Sequence, residues 1–253
     1  MRLNMWAMAA LPFLAAGLSG QEAAPAPLEA GLYASRQSFS TIVKTPPLGR
    51  RQTGITVSYA LHDVTRDGED LAASTRFCSV EPIPFGGVQS SIRGEFVAAM
   101  PTPTVAVSVE GPAGGPWAVE FEEWTMVIGA ELENPASDPL PTDKKDARVT
   151  DPDGDGKPGA SVHLSGRVKG RTYVVQRLTR RMHGTLAADG HMIGTLTGRA
   201  EQVTLGASNP LLSRFKAVFL DETVPAHNLF DWLPVPEGTT CADLAEMSES
   251  LFE

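Results

Sequence analysis

Short runs of β-favouring residues alternate with turn-forming residues over most of the chain. The runs are Leu32–Val43, Thr53–Val64, Leu71–Val80, Gly94–Ala99, Thr104–Val109, Trp117–Ile128, Ala160–Val168, Thr172–His183, Met192–Leu205 and Ser213–Leu220. Runs of this length, separated by turn signals, are typical of all-β domains. The pattern predicts an antiparallel meander that closes as a barrel or packs as a sandwich.

Two dipeptides are the strongest hairpin signals, Asp67-Gly68 and Asp189-Gly190. Glycine and aspartate tolerate the positive φ angles of tight β-turns. A two-residue turn at Asp189-Gly190 pairs Ala188 with His191 and places His183 opposite Leu196. In that register His183 and His191 lie on opposite faces of the sheet, so we expect them not to share a metal ion.

The C-terminal segment has the pattern of a helix instead of a strand. Thr240 can cap a helix start, and Asp243 three residues later lies near the positive end of the helix dipole. A narrow apolar stripe follows, formed by Cys241, Leu244, Ala245, Met247 and Leu251. We therefore predict a single β domain over residues 31–253 that ends in an amphipathic helix at about 241–252.

The N-terminus has the order of segments found in a secretory signal peptide. A charged start at Arg2 precedes an uncharged stretch, Met5–Leu18, and small residues follow before Gln21. The uncharged stretch contains Pro12 and is shorter than the roughly 20 residues needed to span a bilayer. We expect a signal peptide at 1–20, a Pro/Ala-rich lead-in at 21–30, and a periplasmic or secreted protein of bacterial origin with no transmembrane segment after cleavage.

The only two cysteines of the chain are Cys78 and Cys241. A lone cysteine pair in an exported protein most often forms a disulfide. A redox function needs a reactive thiol or a CxxC spacing, and the sequence has no CxxC. The pair therefore predicts a structural bridge between the C-terminal helix and the strand that carries Cys78.

Composition narrows the class of partner. The chain has 253 residues with 24 glycines and 20 prolines, and its formal net charge is −9. An acidic protein is a poor binder of duplex DNA and is repelled by anionic lipid. We therefore expect an unknown envelope or extracellular ligand as the partner, and no nucleic acid.

One segment locally reverses this acidity. Between Leu164 and Arg199 a single acidic residue, Asp189, stands among seven basic ones: Arg167, Lys169, Arg171, Arg177, Arg180, Arg181 and Arg199. Concentrated on one side of a sheet, these residues can bind an anionic ligand. The alternative is that they cover an exposed sheet and oppose edge pairing, as charged residues commonly do.

A second candidate face combines carboxylates with an aromatic ring. If Trp117–Trp124 is one strand, then Glu120, Glu122 and Trp124 share a face, with the two glutamates about 7 Å apart at their Cα atoms. Paired carboxylates beside a ring are what glycoside hydrolysis or sugar binding requires. The alternative is the solvent-exposed face of an ordinary strand.

The segment from Asp151 to Gly159, DPDGDGKPG, resembles the DxDxDG calcium loops of thrombospondin type 3 repeats, dockerins and EF-hands. It is also similar to the DxDGDGxPG form found in exported bacterial β proteins. The resemblance covers nine residues and implies one Ca²⁺ bound by Asp151, Asp153, Asp155 and the backbone carbonyl of Lys157. An EF-hand has a bidentate Glu at position 12, where this chain has Val162, so water or a neighbour must complete the shell, and Asp143 and Asp146 are the candidates.

These patterns lead to three functional hypotheses. The leading one is an exported, calcium-stabilised and non-enzymatic β-domain protein that binds a small molecule, lipid or glycan in or on its sheet. The first alternative is an envelope glycan hydrolase that uses Glu120 and Glu122. The second is a structural or interaction module of the cell envelope. An apolar interior favours a carrier, convergent carboxylates favour an enzyme, and a solid core favours a structural module.

Overall fold

A computed structural model describes residues 28–45, 50–84, 86–112, 115–210, 212–214, 218–221 and 224–253. The expected signal peptide and most of the lead-in lie outside these ranges. The described strands are β1 (Gly31–Thr45), β2 (Arg50–Asp67), β3 (Asp70–Pro82), β4 (Val88–Ser91), β5 (Thr104–Glu110), β6 (Trp117–Phe121), β7 (Trp124–Ile128), β8 (Ala160–Gly166), β9 (Gly170–Leu186), β10 (Met192–Ala207), β11 (Val218–Asp221) and β12 (Leu229–Pro234). The helices are α1 (Gly94–Ala98) and α2 (Cys241–Leu251). The predicted all-β class and the short C-terminal helix are confirmed.

Antiparallel pairing closes most of the sheet on itself. The path runs β10-β12-β1-β2-β3-β5-β6-β9, and β9 pairs with β10 again. Along one edge β9 changes neighbours, because β6, β7 and β8 pair with successive parts of it. Of the other described strands, β4 pairs with β8 and β11 with β1. The sheet is therefore ring-like without being a true barrel.

The run expected as one strand at Trp117–Ile128 is two strands, β6 and β7. The residues between them, Glu122 and Glu123, are exposed and outside any ladder. Each strand alternates buried and exposed or half-buried positions, and both begin with a buried Trp. Because the break contains two residues, Trp124 faces the interior together with Trp117.

One other expected strand is wrong, and another is correct only in part. Residues 94–98 form α1, where the consecutive residues Phe96 and Val97 are both buried; adjacent residues of a strand point to opposite faces, so a helix buries this pair better. The run expected at Ser213–Leu220 contains a 3₁₀ turn at Leu212–Arg214 and then β11. There the side chain of Asn209 accepts a hydrogen bond from the backbone N–H of Leu212 at 3.0 Å and starts the turn.

The β9–β10 hairpin has a longer loop than predicted. Ala187 N–H donates to the carbonyl of His191 at 2.8 Å, so the connection contains three residues instead of two. His183 consequently pairs with Thr195, not with Leu196. The two histidines now share a face but have different partners, since Nε2 of His191 lies 2.7 Å from Asp231 and Nε2 of His183 lies 2.8 Å from Thr195.

A pair of glycines allows the ring to close tightly around its core. Gly184 and Gly194 are opposite each other in the β9–β10 ladder. A Cβ added to either residue would lie 2.7 Å from the phenyl group of Phe230 on β12. Their lack of side chains therefore lets Phe230 pack directly over the ladder.

The core at this end of the ring is aromatic and contains one buried histidine. Trp232 is fully buried, its ring centroid lies 4.9 Å from that of Phe121, and it stacks on His62 at 3.5 Å. Nε2 of His62 lies 2.7 Å from Ser35 Oγ, and Nδ1 lies 2.9 Å from Thr75 Oγ1. Burial lowers the pKa of His62 well below its usual value of 6.5, so the imidazole is neutral in the folded protein.

The helix α2 packs on the outer face of the sheet. Leu244 is fully buried there against Ala34, Leu61 and Val235. Thr240 and Asp243 form a capping box at the helix start. No helix in the described ranges combines the length and apolar character needed to cross a membrane.

Cys78 and Cys241 form the predicted disulfide, which joins β3 to the first turn of α2. The two residues are 163 positions apart, and closing a loop of that length stabilises a fold by up to about 5 kcal/mol in the chain-entropy model. The bridge supplements a small apolar contact, because Leu244 is the one buried residue of α2.

Breaking the bridge is expected to release α2 before the sheet unfolds. In the double variant Cys78→Ser/Cys241→Ser, backbone amides of residues 241–251 should exchange with solvent much faster than in the wild type, while β9 and β10 keep their protection. Hydrogen-exchange mass spectrometry measures both. The control is Leu244→Ala with the disulfide intact, and equal protection of α2 in the double variant and the wild type would contradict the expectation.

His62 makes stability depend on pH. The unfolded chain binds a proton at His62 below about pH 6.5, whereas the buried imidazole, with its lowered pKa, does not. The free energy of unfolding should therefore fall as the pH drops below 6.5, by up to about 1.4 kcal/mol per pH unit from this group. His62→Gln removes this titration, so denaturant unfolding from pH 7 to pH 5 should give a shallower slope for the variant. If the free energy of unfolding falls equally with pH in the wild type and in His62→Gln, His62 is not the cause of the pH dependence.

Candidate functional sites: an acidic loop and an interior cavity

The acidic loop lies between a bridge at Ala130–Val149 and the start of β8. Gly154, Gly156 and Gly159 all have positive φ, at 66°, 75° and 80°. A Cβ at Gly154 or Gly156 would meet no atom within 4 Å, so glycine is needed at these two positions for the backbone conformation and not for space. The glycines curl the chain and bring its alternate aspartates together.

Backbone donors hold the loop in this shape. Asp151 accepts from the N–H groups of Asp155 at 3.1 Å and Gly156 at 2.8 Å. Asp155 accepts from the N–H of Lys157 at 2.9 Å. One carboxylate oxygen from each of Asp151, Asp153 and Asp155 lies within 4.8 Å of the others. The three aspartates therefore form a cluster that can hold a metal ion.

Asp153 is the least satisfied member of the cluster. Its Oδ2 accepts from the N–H of Ser161 at 3.0 Å, but its buried Oδ1 has no hydrogen-bond partner. Burial, followed by the charge of Asp155, raises the pKa of Asp153. A buried carboxylate oxygen without a donor is costly unless a cation coordinates it.

A protein cation already contacts the same cluster. Oδ2 of Asp155 accepts from Ser161 Oγ at 2.8 Å and from Arg171 Nη1 at 3.0 Å. The guanidinium of Arg171 neutralises part of the negative charge, and a metal ion must share Asp155 with it.

Asp143 and Asp146, the candidates for completing the ion's shell, make hydrogen bonds to other residues. Both oxygens of Asp146 accept hydrogen bonds from Arg148, which lower the pKa of Asp146 to about 2. Asp143 accepts from the N–H of Lys145. Neither belongs to the three-aspartate cluster. Coordination by Asp146 and by the carbonyl of Lys157 stays a prediction.

Glu120, Glu122 and Trp124 do not form the shared face that the sequence predicted. Trp124 is 8% exposed and faces the interior, whereas the two glutamates lie on the outer surface. Glu120 lies 3.5 Å from Arg181 on that surface. The strand break at Glu122 and Glu123 causes the difference, because it reverses which residues point inward.

The interior of the ring contains a cavity of about 130 Å³. Its apolar wall includes Phe39, Phe77, Trp124, Met126, Leu178 and Leu196. Phe96 on α1 and the nearby Met100 also contact the cavity. The sequence does not predict this cavity, because the residues that form it are far apart in the chain. The alternation of buried residues along each strand indicates only which side chains point inward.

Polar residues line the cavity beside these apolar ones. Gln37 on β1 pairs with Ser58 on β2, and Phe39 pairs with Thr56. Arg180 is 7% exposed, and its guanidinium carbon lies 3.4 Å from the centroid of the Phe39 ring. Nη1 of Arg180 donates to the carbonyls of Thr179 and Arg199.

The basic run does not form one cationic surface. Arg180 faces the interior, whereas Arg181 lies outside beside Glu120. Arg177 is buried, and it donates to the carbonyl of Asp138 and lies 3.5 Å from Glu201. Its members therefore divide between the two faces of the sheet, and several pair with carboxylates.

Neutralising Asp153 is expected to have opposite effects with and without metal. In chelator, Asp153→Asn should raise the melting temperature, because the amide keeps an oxygen for Ser161 N–H and removes a desolvated charge next to Asp155. With a bound cation the same change should reduce the stabilisation by the ion. Thermal melts in chelator and in divalent cation measure both, with Asp63→Asn on the outer surface as the matched control. A lower melting temperature in chelator would show that the carboxylate is already satisfied without an ion.

No protein-family model matches this chain, and no curated protein or solved structure matches it either. The functional assignment therefore rests on the geometry of the acidic loop and the cavity.

Proposed function

We propose that the protein is an exported, calcium-stabilised binding protein that holds a small molecule inside its ring and catalyses no reaction. The cavity between Phe39 and Trp124 carries this proposal. Ligand pockets are typically apolar with a few convergent polar groups, and this cavity has that composition.

Its size narrows the ligand class. An apolar protein cavity of roughly 150 Å³ holds one benzene molecule, and the volume here is about 130 Å³. A long acyl chain or an oligosaccharide is much larger than benzene. Among the ligands considered from the sequence, the volume favours a small molecule over a lipid or a glycan.

Calcium is the cation that suits the loop best. All ligand atoms in the cluster are carboxylate oxygens, and hard cations prefer oxygen. Ca²⁺ accepts 6–8 oxygens in flexible geometry, whereas Mg²⁺ demands a near-ideal octahedron. Three aspartates leave part of the shell to water, and Arg171 competes for Asp155, so we expect weak affinity, with a dissociation constant of roughly 10⁻⁴ to 10⁻³ M.

Export is supported by two independent features. The disulfide between Cys78 and Cys241 is compatible with an oxidising compartment. Residues 1–20 have the order of a signal peptide. Calcium in the millimolar range is needed to occupy a site this weak, which suits a protein outside the cytoplasm.

Calcium is expected to raise the melting temperature by mass action, because the ion binds the native loop and hardly binds the unfolded chain. At ten times the dissociation constant the gain is about 1.4 kcal/mol. Magnesium should raise it less, and Asp153→Asn/Asp155→Asn should abolish the difference between calcium and chelator. Asp63→Asn is the control, and Asp146→Asn tests whether Asp146 completes the shell. Identical melts of the wild type in chelator, calcium and magnesium would mean that the loop is only a turn.

Benzene is expected to stabilise the wild-type protein by filling the cavity, and Ala200→Leu should remove this effect. Ala200 is buried and lines the cavity, so three additional carbons there occupy the ligand volume. The matched control is Ala106→Leu on the exposed face of β5. Melting temperatures measured with and without saturating benzene separate the cases. No shift in the wild type, or an equal shift in Ala200→Leu, would contradict a ligand site in the ring.

A further inference from the structure

One residue that lines the cavity has an amide oxygen to which no described residue donates a hydrogen bond. Gln37 is 6% exposed, and its Nε2 donates to Ser35 Oγ at 3.1 Å. No described residue donates to its Oε1. A ligand that displaces water from this oxygen must bring a hydrogen-bond donor in its place.

The hydrogen bonds behind Gln37 are compatible with this direction of the amide. Ser35 Oγ carries one proton and accepts from Gln37 Nε2, so it donates to Nε2 of His62, its other partner. The proton of the neutral imidazole is then on Nδ1 and donates to Thr75 Oγ1. With this order of donors the amide nitrogen of Gln37 is engaged, and its oxygen is left for the cavity.

Two hydroxyl groups lie next to this acceptor. Ser58 is the direct cross-strand partner of Gln37, and Thr56 is the partner of Phe39, two residues further along β1. Both line the cavity, and neither side chain hydrogen-bonds to a described residue. A hydroxyl can donate or accept, so the three side chains together can both receive a proton from a ligand and give one to it.

Apolar side chains of two other strands line the cavity together with Arg180, whose guanidinium lies over the ring of Phe39. Trp124, Met126 and Leu178 belong to β7 and β9, whereas Gln37 and Ser58 belong to β1 and β2. A ligand that satisfies both sets of side chains has an apolar body and a polar group at one end. The volume of about 130 Å³ limits that body to about one six-membered ring.

We propose that the ligand is a compact ring bearing one hydroxyl group, a phenol or an alicyclic alcohol of similar size, whose hydroxyl donates to Gln37 Oε1 and accepts from Ser58 or Thr56. This inference rests on the proposed binding function and adds the chemical class of the ligand. The apolar body of the ring packs against Trp124, Met126 and Leu178.

Phenol and toluene are the appropriate pair of probes because they are nearly equal in shape and differ by a hydroxyl against a methyl group. A cavity without polar partners binds toluene more tightly, since the phenol hydroxyl loses its water. The proposal predicts that the wild type binds phenol at least as tightly as toluene in isothermal titration calorimetry. It also predicts that Gln37→Met lowers the affinity for phenol relative to toluene about tenfold.

Ser58→Ala is the second variant, because Gln37→Met also disturbs the contact with Ser35. Ser58→Ala leaves that contact intact. It should also lower the affinity for phenol relative to toluene, but by a smaller factor than Gln37→Met. If neither probe binds the wild type, the proposed function itself is wrong. If both bind but toluene binds more tightly, and both variants leave the ratio unchanged, the cavity is a ligand site but the hydroxyl assignment is overturned.

Discussion

The pairing of β9 with β10 on one edge and with β6, β7 and β8 on the other closes the sheet on itself, and the rest of the structure follows from this closure. Once the sheet is closed, alternate residues of every strand in the ring must point into one interior. Phe230 fits there because Gly184 and Gly194 have no side chains. The break between β6 and β7 turns Trp124 into the same space as Trp117.

The interior of the ring is filled unevenly. One end is packed by the stacked rings of His62 and Trp232, together with Phe121. The other end contains the cavity. The hydrogen bonds from Gln37 through Ser35 to His62 join the two regions. Gln37, which lines the cavity, is thus held by a network that reaches the fully buried His62.

Local sequence patterns predicted the features that depend on a few neighbouring residues. The DxDxDG spacing indicated a loop that gathers three aspartates, and the Thr240 cap indicated the start of α2. The lone cysteine pair, in a chain whose first residues have the pattern of a signal peptide, predicted the disulfide. Each of these depends on backbone preferences or on chemistry that short segments already contain.

Features that depend on strand register were beyond the sequence. One additional residue in the β9–β10 loop moved His183 opposite Thr195, and two exposed glutamates reversed the face of Trp124. A single-residue change in register exchanges the two faces of a strand, so the predicted face of Glu120, Glu122 and Trp124 was wrong although the residues were strand formers. The cavity was hidden for the same reason, because its walls come from β1, β2, β3, β7, β9, β10 and α1, which meet only when the ring closes.

A crystal structure determined under xenon pressure shows whether the ring encloses a space that a ligand can enter. Xenon binds against the apolar side chains of cavities of this size and scatters X-rays strongly. We expect xenon between Phe39, Trp124 and Met126 in the wild type and its loss in Ala200→Leu. An interior filled by side chains, with no xenon bound in the wild type, would contradict this expectation.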